Sequence, residues 1–216
     1  EEKKEMTQLQ KKAKAFLLGL GFNEIITYTL TSRSSIEAIE AGELESWKAG
    51  RELVKLRNPL SANQEFMRPN LLPEMLEVIS WNLNRKNPLL QIFELNKVYK
   101  MSKDADKVEE SLKLAIGISG VTKGNWKEKS KDMDFFDLKG VVEVLLQAIG
   151  IKGYVIDKEE LFLFRPNMAM NIKINGHSVG ILGEVKPEIA RKFGIKQKVY
   201  LCEIAVEELL KYVNLK

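Results

Sequence analysis

The sequence predicts an α+β fold: a mainly antiparallel sheet flanked by helices. Helical and strand patterns are interspersed without the regular strand–helix–strand alternation of a parallel sheet. In "NIKINGHSVGIL", Asn175-Gly176 stands between two apolar-rich runs and is the preferred pair for a tight type I′ hairpin. The 216 residues are 44% hydrophobic and 30% charged, an ordinary globular make-up, and suffice to bury roughly 70% of the unfolded surface. One domain over residues 1–216 is expected.

The elements follow in order. Met6, Leu9, Ala13, Phe16, Leu17 and Leu20 recur at intervals of three and four, so residues 5–19 read as an amphipathic helix stopped by Gly19 and Gly21. "FNEIITYTL" is rich in β-branched and aromatic residues, as a strand should be. Ser34 to Ala41 reads as a short helix closed by Gly42, and "ELVKLRNPL" as a half-buried strand ending at Pro59. Pro73 sits where a helix begins, because its missing N–H would have had no partner there. Leu72, Met75, Leu76, Ile79 and Leu83 then make one apolar face, broken from Asn84 to Pro88. "LLQIFELNKVYK" predicts a strand pair or one bent strand, residues 102–110 a polar loop, and "LKLAIGISG" a strand. "FFDLKGVVEVLLQAIG" is a second strong helix stopped by Gly150. After the hairpin, Pro187 opens a short helix, "KVYLCEIA" is a strand and "VEELLKYV" a helix.

Composition narrows the setting. No apolar run approaches the ~18 residues of a membrane span, and the charged "EEKKEM" does not read as a signal peptide. A lone cysteine, Cys202, rules out an internal disulfide and fits a reducing compartment, so the expectation is a cytoplasmic domain without a membrane partner. The net charge of +4 comes from scattered lysines without arginine clusters, which reads as a solvated surface.

Little in the chain points to chemistry. His177 is the single histidine and flanks the hairpin, so a histidine-based metal site or relay is excluded. Cys202 lies in an apolar strand and reads as a small buried hydrophobe. Asp132, Asp134 and Asp137 precede a helix, where carboxylates are favoured as caps. "GISGVTKGNW" lacks the Gly-Lys-Ser/Thr ending of a phosphate loop. Arg68 and Arg165 each precede a proline, and for both a loop-tying role is expected over anion binding.

Four stretches in one order carry a resemblance: "VKLRNPLSANQEFMRPNLLPEMLEVISWNLNR", "IFELNKVYK", "DFFDLKGVVEVLLQAIG" and "GHSVGILGEVKPEIARKFGI". Together they resemble the beta-subunit family of bacterial phenylalanyl-tRNA synthetase, in its catalytic-like module, from about Met6 to Tyr212. The resemblance implies a class II synthetase-like fold and an assembly of two alpha and two beta subunits. In it the alpha subunit activates phenylalanine with ATP and charges tRNA(Phe), and the beta module is a degenerate copy. ATP and Mg then belong to the full complex, with no cofactor, metal or catalytic residue in this domain. It also implies a fragment, since the family's tRNA-binding-like, editing and anticodon-binding regions are not among these residues. The segment matching "FRPNMAM" carries Arg165 where the family commonly has a histidine, so no role of that histidine transfers.

The degeneracy is testable residue by residue. Class II activation holds ATP phosphates with planar guanidinium forks, a geometry lysine does not reproduce. Where active relatives run from the strand resembling "IFELNKVY" into the motif 2 arginine and a nearby acid, this chain has Lys100-Met101-Ser102. Motif 3 needs a glycine-rich strand before an arginine-bearing helix; "KVYLCEIAVEELLKYV" has no glycine, and the last arginine of the chain is Arg191. Residues 5–30 resemble motif 1, which implies that Met6, Leu9, Ala13, Phe16 and Leu17 pack against the alpha subunit; the alternative is an intradomain helix burying its stripe on its own sheet. Residues 58–100 are the loop, helix and degenerate motif 2 strands, structured by Arg68, Pro69 and Pro73, and residues 111–216 supply the remaining sheet and helices. The expected function is a non-catalytic scaffold, with a free-standing enzyme activating a small carboxylic acid and an RNA-binding module as alternatives.

Overall fold

The computed structural model describes residues 2–40, 53–102, 107–122, 124 and 129–213 of the chain. Helix α1 (Glu2–Gly19) buries Leu9, Ala13 and Leu17, spaced by four, and ends where Gly21 takes φ 85°. There the Phe22 N–H donates to Leu17 O and the Gly21 N–H to Leu18 O, the pair of bonds that closes a Schellman end. Of the strand expected over "FNEIITYTL", only β1 (Asn23–Glu24) and β2 (Leu30–Thr31) form. Between them the Thr27 N–H and hydroxyl both donate to the Glu94 carboxylate, so a side chain takes groups that a ladder would use.

Helix α2 (Arg33–Glu40) follows; the Ala41 and Gly42 of its expected end lie outside the described residues. The strand expected over "ELVKLRNPL" is not found among its described residues. A single bridge, Lys55 to Phe66, joins it to β3 (Phe66–Met67), after the 3-10 turn Ala62–Gln64. β3 pairs only with β2, a two-residue partner too short to extend the ladder. Helix α3 (Leu72–Leu83) begins one residue before Pro73, whose absent N–H still falls in the unpaired first turn.

"LLQIFELNKVYK" forms one long strand, β4 (Leu89–Met101), paired throughout with β5 (Val108–Gly120). The expected polar loop therefore contracts: Val108, Glu109 and Glu110 are strand residues whose side chains reach water at the hairpin end, where Glu110 pairs with Lys97. Then come α4 (Phe135–Ala148), β6 (Tyr154–Lys158), β7 (Phe164–Ile174), β8 (His177–Val185), α5 (Pro187–Lys192), β9 (Val199–Ala205) and α6 (Val206–Leu210). Asn175 (φ 50°) and Gly176 (φ 81°) make the β7–β8 turn with both central residues left-handed, as the type I′ turn requires.

The sheet runs β1-β4-β5-β9-β8-β7-β6, antiparallel except where β1 joins β4. Both faces are covered. Leu114, Ile116, Ile118, Tyr200, Cys202 and Ile204 pack under α1, α4 and α6, and Ile92, Ala115, Val199 and Leu201 under α2, α3 and α5. Strand β5 thus buries both its side-chain sets, which the alternation of its leucines and isoleucines does not reveal. Helix α3 lies tight on the sheet at Gly117, where an added Cβ would stand 2.9 Å from Met75 Sδ and 3.2 Å from Ile79.

The tightest backbone approach in the β7–β8 pair is at Gly183, where a Cβ would meet Phe164 Cγ at 2.5 Å and Met168 O at 2.6 Å. Gly183→Ala should cost about 1–3 kcal/mol, because neither a ring nor a carbonyl can swing away. Urea unfolding would register it as a lower midpoint at unchanged slope.

Candidate functional site

Glu94 in β4, Ala115 in β5 and Glu203 in β9 lie in one cross-strand row, with Asn96 and Lys113 in the next. Two acids in apolar strands on either side of β5, "IFELN" and "LCEIA", thereby meet the face that α3 covers. Arg68 answers the first of them. Its side chain is fully buried; Nε donates to Lys97 O at 3.0 Å, and Nη1 to Glu94 Oε1 at 3.0 Å and to Thr27 Oγ1 at 2.7 Å. Its backbone is held as well, with its N–H on Thr29 O and its carbonyl accepting from the Tyr99 N–H, each at 2.9 Å. Glu94 also accepts from Asn96 Nδ2 at 3.0 Å.

Glu203 answers the helix. Its carboxylate accepts from the Leu71 N–H at 2.7 Å and from Lys113 Nζ at 2.6 Å, while the Leu72 N–H donates to Asn70 Oδ1 at 3.1 Å. Carboxylate and amide oxygens so satisfy donors at the start of α3, where the helix dipole also favours negative charge. Pro69, half-buried, and Pro73, buried, bracket this start and stiffen the chain between the two charge clusters.

Among the described residues two buried side-chain polar atoms lack partners: Arg68 Nη2 and Glu74 Oε2. Glu74 is the third residue of α3 and only 5% exposed. Burial pushes its carboxyl up to about 7; the Thr31 hydroxyl, the Glu74 backbone and Arg68 pull it back in part. Glu74 lines a groove of about 800 Å³ between the β1–β2 connection, the 3-10 turn and α3. A second groove of about 750 Å³ runs along the other side of α3 and shares Glu77 and Trp81 with the first. Neither is lined by Lys100, Met101 or any residue of β9.

Lys100 and Met101 stand half-buried at the end of β4. No arginine follows Arg191, and β9 leads into α6 with Glu207 and Glu208 in its first turn, so this part of the chain offers carboxylates where triphosphate would need guanidinium groups. The residues present do not fit ATP.

The structure disperses the remaining candidates. Cys202 is fully buried, and burial raises its thiol well above the usual value, so it is a core side chain. His177 is exposed at the start of β8. Arg165 donates to Glu184 at 2.7 Å. Asp134 and Asp137 form a capping box on α4, with the Asp137 N–H on Asp134 Oδ1 at 3.0 Å and the Asp134 N–H on Asp137 Oδ2 at 2.8 Å. The helical stripe expected at a subunit interface faces inward: Leu9, Ala13 and Leu17 are buried against the domain's own core, and Met6 and Phe16 are half-buried on its margin. An isolated apolar stripe looks the same in sequence whichever surface buries it. Exposed apolar side chains on the same segment are instead Leu18, Leu20, Ile26 and Tyr28.

Residues 1–206 match the family described as "Phenylalanyl tRNA synthetase beta chain CLM domain". The chain is 33% identical over 208 residues to the phenylalanine–tRNA ligase beta subunit of Fusobacterium nucleatum, covering 94% of this chain and 25% of that protein. It is 34% identical over 206 residues to the beta subunit of Geobacter sulfurreducens, with the same coverage. The chain thus spans about a quarter of the length of these curated relatives. In three dimensions it is similar to a pyrrolysyl-tRNA synthetase from Desulfitobacterium hafniense, with TM-score 0.71 and 17% identity over 94% of this chain and 65% of the other. A second structure of that synthetase gives 0.71 at 18% identity, covering 95% and 68%. At such identity the likeness establishes the class II synthetase-like fold.

Two outcomes follow from the charge cluster. Arg68→Met should cost about 3–5 kcal/mol in denaturant unfolding, because it strands the Glu94 carboxylate out of water, and Arg68→Met with Glu94→Leu should recover a large part of the loss. For Glu74, a pKa of about 7 in the folded chain against the ordinary 4.5 means that the folded state binds the proton more tightly. Between those values the unfolded chain has released its proton and the folded chain has not, so this group's contribution to stability falls as pH rises from about 4.5 to 7. Glu74→Gln should flatten that part of the stability–pH curve and raise the melting temperature at pH 8 more than at pH 5.

Proposed function

The chain belongs to the phenylalanyl-tRNA synthetase beta chain CLM-domain family, and from that premise we propose that it is a non-catalytic assembly domain. In this reading it is part of a cytoplasmic phenylalanine–tRNA ligase beta subunit that supports phenylalanylation of tRNA by an alpha subunit in an alpha2–beta2 complex. The observation that carries the reading is the missing guanidinium chemistry. A class II frame needs arginines to hold the charge that develops on ATP phosphates, and lysine is a point charge without the bidentate fork. Lys100-Met101 stands at the first of the two positions, and no arginine exists beyond Arg191 for the second. ATP and Mg are used by the complex, and tRNA(Phe) is engaged by the whole assembly.

The same face is filled by packing. Met75, Leu76 and Ile79 are fully buried between α3 and the sheet, where side chains in contact leave no room for a substrate. What the frame retains is surface. Of the eleven large apolar side chains exposed among the described residues, four (Leu18, Leu20, Ile26 and Tyr28) fall in residues 5–30, the motif-1-like segment. Exposed apolar side chains gathered on one segment suit a protein partner. In this reading these residues meet the alpha subunit, with Met6 and Phe16 at their margin.

Alone, the chain should catalyse no pyrophosphate exchange with ATP and any of the twenty amino acids; phenylalanine-dependent exchange would refute the non-catalytic reading. Co-expressed with a bacterial alpha subunit it should co-purify, and Leu18→Asp with Ile26→Asp should reduce capture about tenfold, as expected when charge enters an apolar interface. Unchanged far-UV dichroism would show that these exposed substitutions leave the fold intact.

A further inference from the structure

The groove between the β1–β2 connection and α3 pairs an apolar rim with an acidic floor. Ile26, Tyr28 and Trp81 line it and are 83%, 78% and 55% exposed. Its charged lining consists of two acids, Glu74 and Glu77; no lysine, arginine or histidine is among the described residues that line it. Glu77 accepts a hydrogen bond from Ser35 Oγ at 3.1 Å. Glu74 is nineteen-twentieths buried, yet its Oε2 has no partner.

We propose that this groove is a receptor for a basic side chain of a protein partner, an arginine or lysine flanked by apolar residues, whose cation reaches Glu74 while its neighbours cover Ile26, Tyr28 and Trp81. This deepens the assembly reading by giving the recognition chemistry of one patch, and it rests on that reading only in taking the occupant to be a protein.

Three considerations support a cation. A buried carboxyl oxygen without a donor forfeits a hydrogen bond, and a charged donor restores the stronger, charge-assisted kind. Arg68, the internal cation that acts on Glu74, is held by Glu94, Thr27 and Lys97 through Nε and Nη1, with Nη2 unpartnered, and it does not line the groove, whereas Glu74 does. Both lining charges have the same sign, which a cationic visitor complements and an anionic one opposes. Tyr28 adds apolar area and an aromatic face suited to a guanidinium, and Trp81, one face of which Arg85 already covers at 3.4 Å from the ring centroid, adds apolar area.

The occupant should also sense pH. Arg68 and Glu77 are the charged groups that act on Glu74, the first lowering and the second raising its proton affinity, against the larger rise from burial. A bound cation favours the ionised carboxylate, so binding should weaken as pH falls from 8 to 6.

The test uses the chain with the capped peptide acetyl-Leu-Arg-Leu-amide, its isosteric neutral counterpart containing citrulline, and n-butylguanidinium, each followed by amide and Trp81 indole shifts in nitrogen–proton spectra. The expected result is saturable binding of the arginine peptide, with shifts confined to residues 25–30 and 74–82. Affinity should fall about tenfold for the citrulline peptide, and by a similar factor for the arginine peptide on Glu74→Gln. Equal binding of the two peptides to the unmodified chain overturns the proposal, as do shifts elsewhere; this comparison needs no variant to fold. Butylguanidinium binding as tightly as the peptide would transfer the site to small cations, and self-association abolished by Trp81→Ser would transfer it to a second copy of the chain; either result overturns the peptide assignment. No alpha subunit is used, so peptide binding can fail while co-purification succeeds, and the reverse.

Discussion

The Arg68–Glu94 pair is the constraint on which the rest of this structure is arranged. Both side chains are withdrawn from water, a costly step for either alone and tolerable only when the charges meet and their remaining hydrogen bonds are supplied. Here they are supplied by two separate pieces of chain: Thr27 from the β1–β2 connection, and Asn96 and Lys97 from β4. A guanidinium donates in fixed directions, so each acceptor must sit where the fork points. Segments far apart in sequence are thereby brought into one geometry, with the proline-bearing loop closed onto the sheet edge.

Helix α3 inherits its position from that loop. Its first turn is tied down by Glu203 and Asn70, and its apolar side then covers the sheet at Gly117, where only a glycine lets Met75 and Ile79 come so close. Under α3 this face of the sheet is core, and the polar groups there orient the helix. A buried ion pair is weak support for stability against an apolar replacement of equal volume, but it is directional, and direction is what holds a loop and a helix in one register.

The exposed apolar side chains of residues 18–28 and the acidic floor at Glu74 border one another, since Ile26 and Tyr28 line the groove that Glu74 floors. Glu74 lies beneath these exposed side chains and close to the charge cluster, so a partner docked in the proposed way would touch the helix start that the cluster positions.

The fold class, the extents of α1, α3 and α4 to within a few residues, the β7–β8 hairpin and carboxylate capping at α4 were legible in the sequence, because each is written in local periodicity or in the φ demands and hydrogen-bonding habits of neighbouring residues. The lack of arginine beyond Arg191 was equally plain. Only packing settled the rest: that "FNEIITYTL" breaks around Thr27, that Glu94 meets Arg68 and Glu203 meets Lys113, and that the stripe Leu9–Ala13–Leu17 is covered by its own domain. An acid inside an apolar run announces that some partner must exist, but its identity lies 26 residues away for Glu94 and 132 for Glu203. Such pairs are set by which strands become neighbours, a property of the whole chain's packing that no local window of sequence contains.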